Sequence, residues 1–173
     1  HLYKFDTSKF RADGNHLPGY RVWDAAALLA ARTTARRIYT WDPVALTLIP
    51  VDAGALADLQ AIEPTMTAES LDFLLGNDGS GTPRRKRLGP LINTVPSIVA
   101  APALQGQALL DNNHPAFEVA QNDRRILIWI GSNDGMLHAF DFENGDEVVA
   151  LIPPNLLEAQ GRLYANFADA GKK

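Results

Sequence analysis

The chain has no cysteine. That removes disulfides, thiolate metal sites and covalent haem attachment from consideration. It also lacks any apolar run near the roughly 20 residues needed for a membrane-spanning helix, and no secretory leader is visible at its start. It has no excess of positive charge: 16 Lys and Arg stand against 20 Asp and Glu, a formal net charge of −4. Nucleic acid and anionic membrane surfaces are therefore not expected partners. Only four histidines occur, His1, His16, His114 and His138, and none is spaced as a metal pair. There is no Gly-x-Ser-x-Gly elbow, so no nucleophilic triad can be nominated from a motif.

The 46% hydrophobic and 21% charged residues are ordinary for a globular domain. Its 173 residues suffice for one core. The opening "HLYKF" reads as the middle of a strand and lacks an initiator Met, so the chain is expected to be a piece of something longer.

Local patterns predict the elements. Residues 1–6 alternate as a short strand. Residues 11–20 are rich in turn formers. Residues 23–32 read as a helix with Asp24 as N-cap. Residues 36–42 and 44–51 read as a hairpin broken at Pro43. Two helices are expected at 53–62 and 67–75, the second with Thr67 as N-cap and Gly76 as its stop. A flexible loop is expected over 76–87, a buried strand near 95–100, and an irregular stretch over 103–123. Residues 124–131, 136–141 and 146–153 form three strands with short Gly turns, followed by a helix start at 153–160 and a fraying tail.

The three last strands have the grammar of a propeller blade, which cannot bury both faces without neighbours. "GSNDGMLHAFD", followed after three intervening residues by Gly145, resembles the blade motif of quinoprotein-like β-propellers. With "IPPNLL" (152–157), "WDAAALLAAR…RRIYTWD" (23–42), "LDFLLGNDG" (71–79) and "KRLGPLINTVPSIVAAP" (86–102), it resembles the propeller of the PilY/PilC-type type IV pilus tip-associated adhesins. The likeness covers about residues 1–160. Leu75, Pro90 and Thr94 depart from the family's Arg, Asp and Ser.

The resemblance implies a mainly β chain, a partial β-propeller of quinoprotein-like blades with short helical insertions. Residues 1–165 would be a propeller fragment and 166–173 a flexible tail. It implies adhesion, pilus biogenesis and twitching motility at the bacterial cell surface or pilus tip, by binding and not by catalysis. Partners would be minor pilins, the remainder of a larger propeller chain, or a host or abiotic surface. A quinoprotein dehydrogenase that uses PQQ and an outer-membrane scaffold propeller are the alternatives. A 173-residue piece supplies strands for about two blades, whereas a closed propeller needs about four or more.

Calcium is possible in the full-length family through an Asp-x-Asp-x-Asp-Gly loop, and no such loop occurs here, so no cofactor is expected. Asp141, Glu143 and Asp146 surround Gly145 and are weak calcium candidates, better read as a solvated turn. Asn133-Asp134-Gly135 is better read as a turn than as a ligand loop. Arg84, Arg85, Lys86 and Arg87 form the one basic run; it is the candidate contact for an acidic partner, pilin or glycan, against the ordinary reading of a solvated face. Trp129 and Phe140 are expected in the core. Trp23 and Trp41 are either core or a stacking platform.

Overall fold

The computed structural model describes residues 1–102 and 113–171. The architecture is mainly β. Strand β1 (Tyr3–Phe5) pairs antiparallel with β2 (Arg21–Asp24). Six further strands form one sheet: β3 (Ile38–Trp41), β4 (Leu48–Val51), β5 (Ser97–Val99), β6 (Leu127–Gly131), β7 (Leu137–Asp141) and β8 (Glu147–Leu151). Their spatial order is β4-β3-β8-β7-β6-β5. Strands β5 to β8 make a four-stranded antiparallel meander. The β3–β4 hairpin joins it through a parallel β3–β8 pairing. No closed barrel or propeller forms among the described residues.

The local signals act as expected at several places. Helix α1 (Ala25–Ala31) starts where the Asp24 side chain accepts from the Ala26 and Ala27 amides. After α2 (Leu56–Ile62), helix α3 (Ala68–Leu75) carries a complete capping box between Thr67 and Ser70, and it ends at Gly76 with φ 110°.

Other expectations need correcting. Trp23 lies in β2, ahead of α1. The second hairpin strand begins only at Leu48, because Asp42 accepts from the Val44 and Ala45 amides and takes the intervening residues into a turn. The strand expected to be buried near 95–100 is exposed along β5, since it is the sheet's edge and has β6 as its one partner. Within 103–123, residues 103–112 lie outside the description. The remainder holds helix α4 (His114–Gln121), whose Pro115 sits in the first turn, where proline is tolerated.

Two more corrections bear on the site. The loop over 76–87 is tied down: the Asp72 carboxylate accepts from Asn77 Nδ2 at 2.7 Å and from the Gly79 and Gly81 amides at 3.0 and 2.8 Å. The expected fraying tail is helical, because α5 runs Leu157–Gly171. Its Tyr164 and Phe167 rings pack on Phe73 of α3, which burial alone justifies.

The core is a row across the sheet. Pairing places Ile130, His138, Ala150, Ile38 and Val51 opposite one another from β6 to β4, on one face. All five are buried. His138 interrupts the row, and the apolar residues form two separate clusters. Ile38, Val51, Leu59, Leu74, Ile152 and Leu157 belong to one; Trp23, Ile128, Ile130 and Phe140 belong to the other. Trp129 alternates with Ile128 and Ile130, so it points to the opposite face. It is half-buried and not in the core, which corrects that expectation. Phe140 is fully buried, as expected, and Trp41 is exposed. No helix among the described residues is long and apolar enough to cross a membrane.

Candidate functional site

A cavity of about 720 Å³ opens between α1, the 84–92 segment, the β6–β7 turn and α5. Its size is that of a small-ligand or peptide pocket. The basic run Arg84–Arg87 forms one wall, and the structure divides those four residues by role.

Arg84 is half-buried. Its guanidinium lies 3.7 Å over the Phe73 ring, and Nη2 donates to the Phe73 carbonyl at 2.8 Å. Burial, with Arg36 and Arg87 nearby, pushes its pKa down to about 10. Arg87 Nη1 donates to the carbonyls of Leu29 and Arg32 at 3.2 and 2.7 Å. Those oxygens are at the α1 C-terminus, where no intrahelical donor remains. Arg85 and Lys86 project into solvent. No carboxylate lies within ion-pair distance of any of the four among the described residues. The basic run is thus part scaffold and part exposed charge.

The opposite wall rests on Asp134. The turn expected at 133–135 forms, with Gly135 at φ 83° and the Met136 amide donating to Asp134 Oδ1 at 3.0 Å. The same carboxylate also accepts from the Gly89 amide at 3.0 Å and from Ser132 Oγ. This pins the basic segment to the sheet. Behind Asp134 stands His138, whose Nε2 is 3.2 Å from Asp134 Oδ2 and whose Nδ1 is 2.8 Å from Glu147 Oε1. Arg36 grips Glu147 with two hydrogen bonds, Nε to Oε2 at 2.8 Å and Nη2 to Oε1 at 2.7 Å.

Burial works against charge at each of these groups, and the partners outweigh it. It would raise both carboxyls, but His138 and Ser132 pull Asp134 down to about 2, and Arg36 and His138 do the same for Glu147. Burial would lower the imidazole, but Asp134 and Glu147 hold it above its ordinary 6.5.

Ser132, His138 and Glu147 look at first like a nucleophile, base and orienting acid, with Ser132 Oγ 3.1 Å from His138 Nε2. The electrostatics oppose that role. Both ring nitrogens face carboxylates, which favours the doubly protonated ring, and that form has no lone pair to accept another proton. Ser132 Oγ donates to Asp134. The ring itself is shut off from solvent. The chain of charges is a brace across the core.

The weak calcium candidates do not assemble. Asp141 Oδ1 accepts from the Glu143 and Asn144 amides at 2.7 and 2.9 Å, and Oδ2 meets Arg125. Glu143 pairs with Lys4 at 3.3 Å. No group of three or more potential ligands that could hold a metal occurs among the described residues. Trp23 is no stacking platform: it is buried, and its Nε1 donates to the Phe142 carbonyl at 3.2 Å. The sequence reading missed Arg36, Asp134 and Glu147 as a set. The available signal was His138 itself, a titratable residue flanked by Leu137 and Ala139 within a strand.

The chain is 28% identical over 178 residues to the type IV pilus biogenesis factor PilY1 of Pseudomonas aeruginosa strain UCBPP-PA14, across 86% of this chain and 15% of that protein. It is 31% identical over 117 residues to a PilY1 homolog of Xylella fastidiosa strain Temecula1, across 58% of this chain and 9% of that one. It is 30% identical over 123 residues to PilY1 of P. aeruginosa strain PAK, across 66% and 10% respectively. The chain therefore spans about a seventh or less of the length of these relatives. No family model and no solved structure matches it.

Proposed function

On the premise that the chain is of the PilY1 type, as its relatives are, we propose that it is a binding segment of a type IV pilus biogenesis factor. It acts at the bacterial cell surface or pilus tip, in pilus assembly, adhesion and twitching motility. Minor pilins, the remainder of a larger chain and the colonised surface are the partners. The observation that carries a binding role is the cavity walled by the Arg84–Arg87 run, whose Arg85 and Lys86 are exposed, the region the sequence singled out for partner contact. The Ser132, His138 and Glu147 arrangement is a buried ionic brace, which supports a reading of this site as one of recognition.

The β5–β8 meander is read as one propeller blade. Pairing places Trp129, Ala139 and Val149 together on the face away from the core row, with Leu127, Leu137 and Leu151 flanking them on that face. Most of this apolar surface is only half-buried. A neighbouring blade from the longer chain would cover it.

The test is replacement of residues 84–87 by a neutral linker of equal length in the full-length protein, in a piliated bacterium. Surface pili are counted by electron microscopy and twitching zones measured. Loss of pili or of twitching with normal protein abundance is the expected result. Wild-type piliation and motility would refute the reading.

A further inference from the structure

The cavity has two chemically different walls. One is basic, with Arg85 and Lys86 at the exposed edge and Arg84 and Arg87 beneath them. The other is apolar, formed by Ala27 and Ala30 of α1 together with Leu163 of α5. Among the other charged groups, Asp24 is engaged in capping α1 and Asp134 in holding His138 and Gly89. Arg36 is neutralised by Glu147. Arg84 and Arg87 are engaged by backbone carbonyls and Phe73, which leaves Arg85 and Lys86, exposed and without an ion-pair partner among the described residues, as the free positive charge at the cavity's edge. A carboxylate is a strong acceptor for guanidinium and ammonium groups.

We infer that this cavity receives an acidic peptide segment of a protein partner, with carboxylates on the basic wall and small apolar side chains against Ala27, Ala30 and Leu163. The inference rests on the binding role proposed above and specifies the chemistry of the partner. A lone inorganic anion would leave the apolar wall unfilled. An extended polyanion such as nucleic acid meets a chain of net charge −4 and only one short basic stretch. A peptide of alternating acidic and apolar residues fits both walls, in the manner of acidic-motif recognition by arginine clusters.

The probe is a fluorescent Glu-Leu-Asp-Leu-Glu peptide, titrated by anisotropy against the full-length protein. Its Gln-Leu-Asn-Leu-Gln counterpart and inorganic phosphate serve as controls. Binding of the acidic peptide alone is expected, weakening as salt rises. Arg85→Glu with Lys86→Glu should reduce the affinity tenfold or more at an unchanged melting temperature, since neither side chain supports the fold. Equal binding of the neutral peptide, undiminished binding by the double variant, or full displacement by millimolar phosphate would overturn the inference; the last result assigns the basic wall to a small anion. The same double variant in cells separates the two readings. Lost peptide binding with normal piliation and twitching counts against the pilus role and leaves the site standing. Absence of peptide binding in a wild-type protein whose 84–87 replacement abolishes pili counts against the acidic peptide alone.

Discussion

Arg36 and Glu147 are 111 residues apart in sequence and form a bidentate ion pair, with side-chain exposures of 2% and 0%. The pair closes the parallel junction between β3 and β8 from inside the protein. Glu147 also braces His138, which it shares with Asp134, so this carboxylate touches both buried cations. Glu147→Gln keeps the shape and removes that compensation. A loss of about 3–5 kcal/mol in unfolding free energy is expected, the usual result of stranding a buried charge. Urea denaturation followed by circular dichroism measures it, and a loss below 1 kcal/mol would contradict the brace.

The same network sets the pH dependence. Asp134 and Glu147 fall to about 2 in the fold from ordinary values of 3.8 and 4.5. Their contribution is present above about pH 4.5 and disappears as pH falls toward 2. His138 is held above 6.5. Its contribution is complete below that pH and disappears as pH rises through the folded-state value. Melting temperature should therefore be highest between about pH 4.5 and 6.5, and His138→Gln should lose the alkaline decline. A wild-type melting temperature that still rises between pH 6.5 and 8 would refute this assignment.

Asp134 joins the basic segment to the sheet through the Gly89 amide. With Asp134→Ala, the Gly89 amide should exchange with solvent at least tenfold faster, because the carboxylate that accepts from it is gone. Amides in the middle of α3 should keep their protection. Hydrogen exchange read by NMR distinguishes local release of this wall from general unfolding.

Gly145 sits at φ 78° directly beneath Trp23. A Cβ there would lie 2.7 Å from Trp23 Cδ2 and 2.8 Å from Leu28 Cδ1. Gly145→Ala combines a left-handed backbone with overpacking, and a loss of about 1–3 kcal/mol is expected. Trp23 should move, so a shift in tryptophan emission should accompany the loss. An unchanged spectrum and stability would mean that the turn relaxes freely.

Legibility followed the range of the interactions. The Asp24 cap, the Thr67 start and Gly76 stop of α3, and strands β6 to β8 could be read because each depends on neighbours a few residues away. The turn at Asp134 was equally visible, but its further partners were not: Gly89 and Asp134 are 45 residues apart in sequence. The helicity of residues 161–171 was missed because the apolar face of α5 gains its burial from Phe73 of α3, not from anything within the tail. The exposure of β5 was missed for a related reason. Its composition is that of a buried strand, and only its place at the sheet's edge leaves it open.

By itself the sequence determined the family resemblance, the three-strand meander and the lone basic run, since motif, alternation and charge are local properties of the chain. Only the tertiary structure decided which arginines of that run became scaffold and which cations stayed free. It also decided that His138 would stand among apolar residues with a carboxylate on each nitrogen. Those outcomes depend on the parallel docking of β3 on β8, which brings Arg36 to Glu147. Desolvation then makes the pairing of the buried charges obligatory, whereas Arg85 and Lys86 lie exposed and face no such requirement.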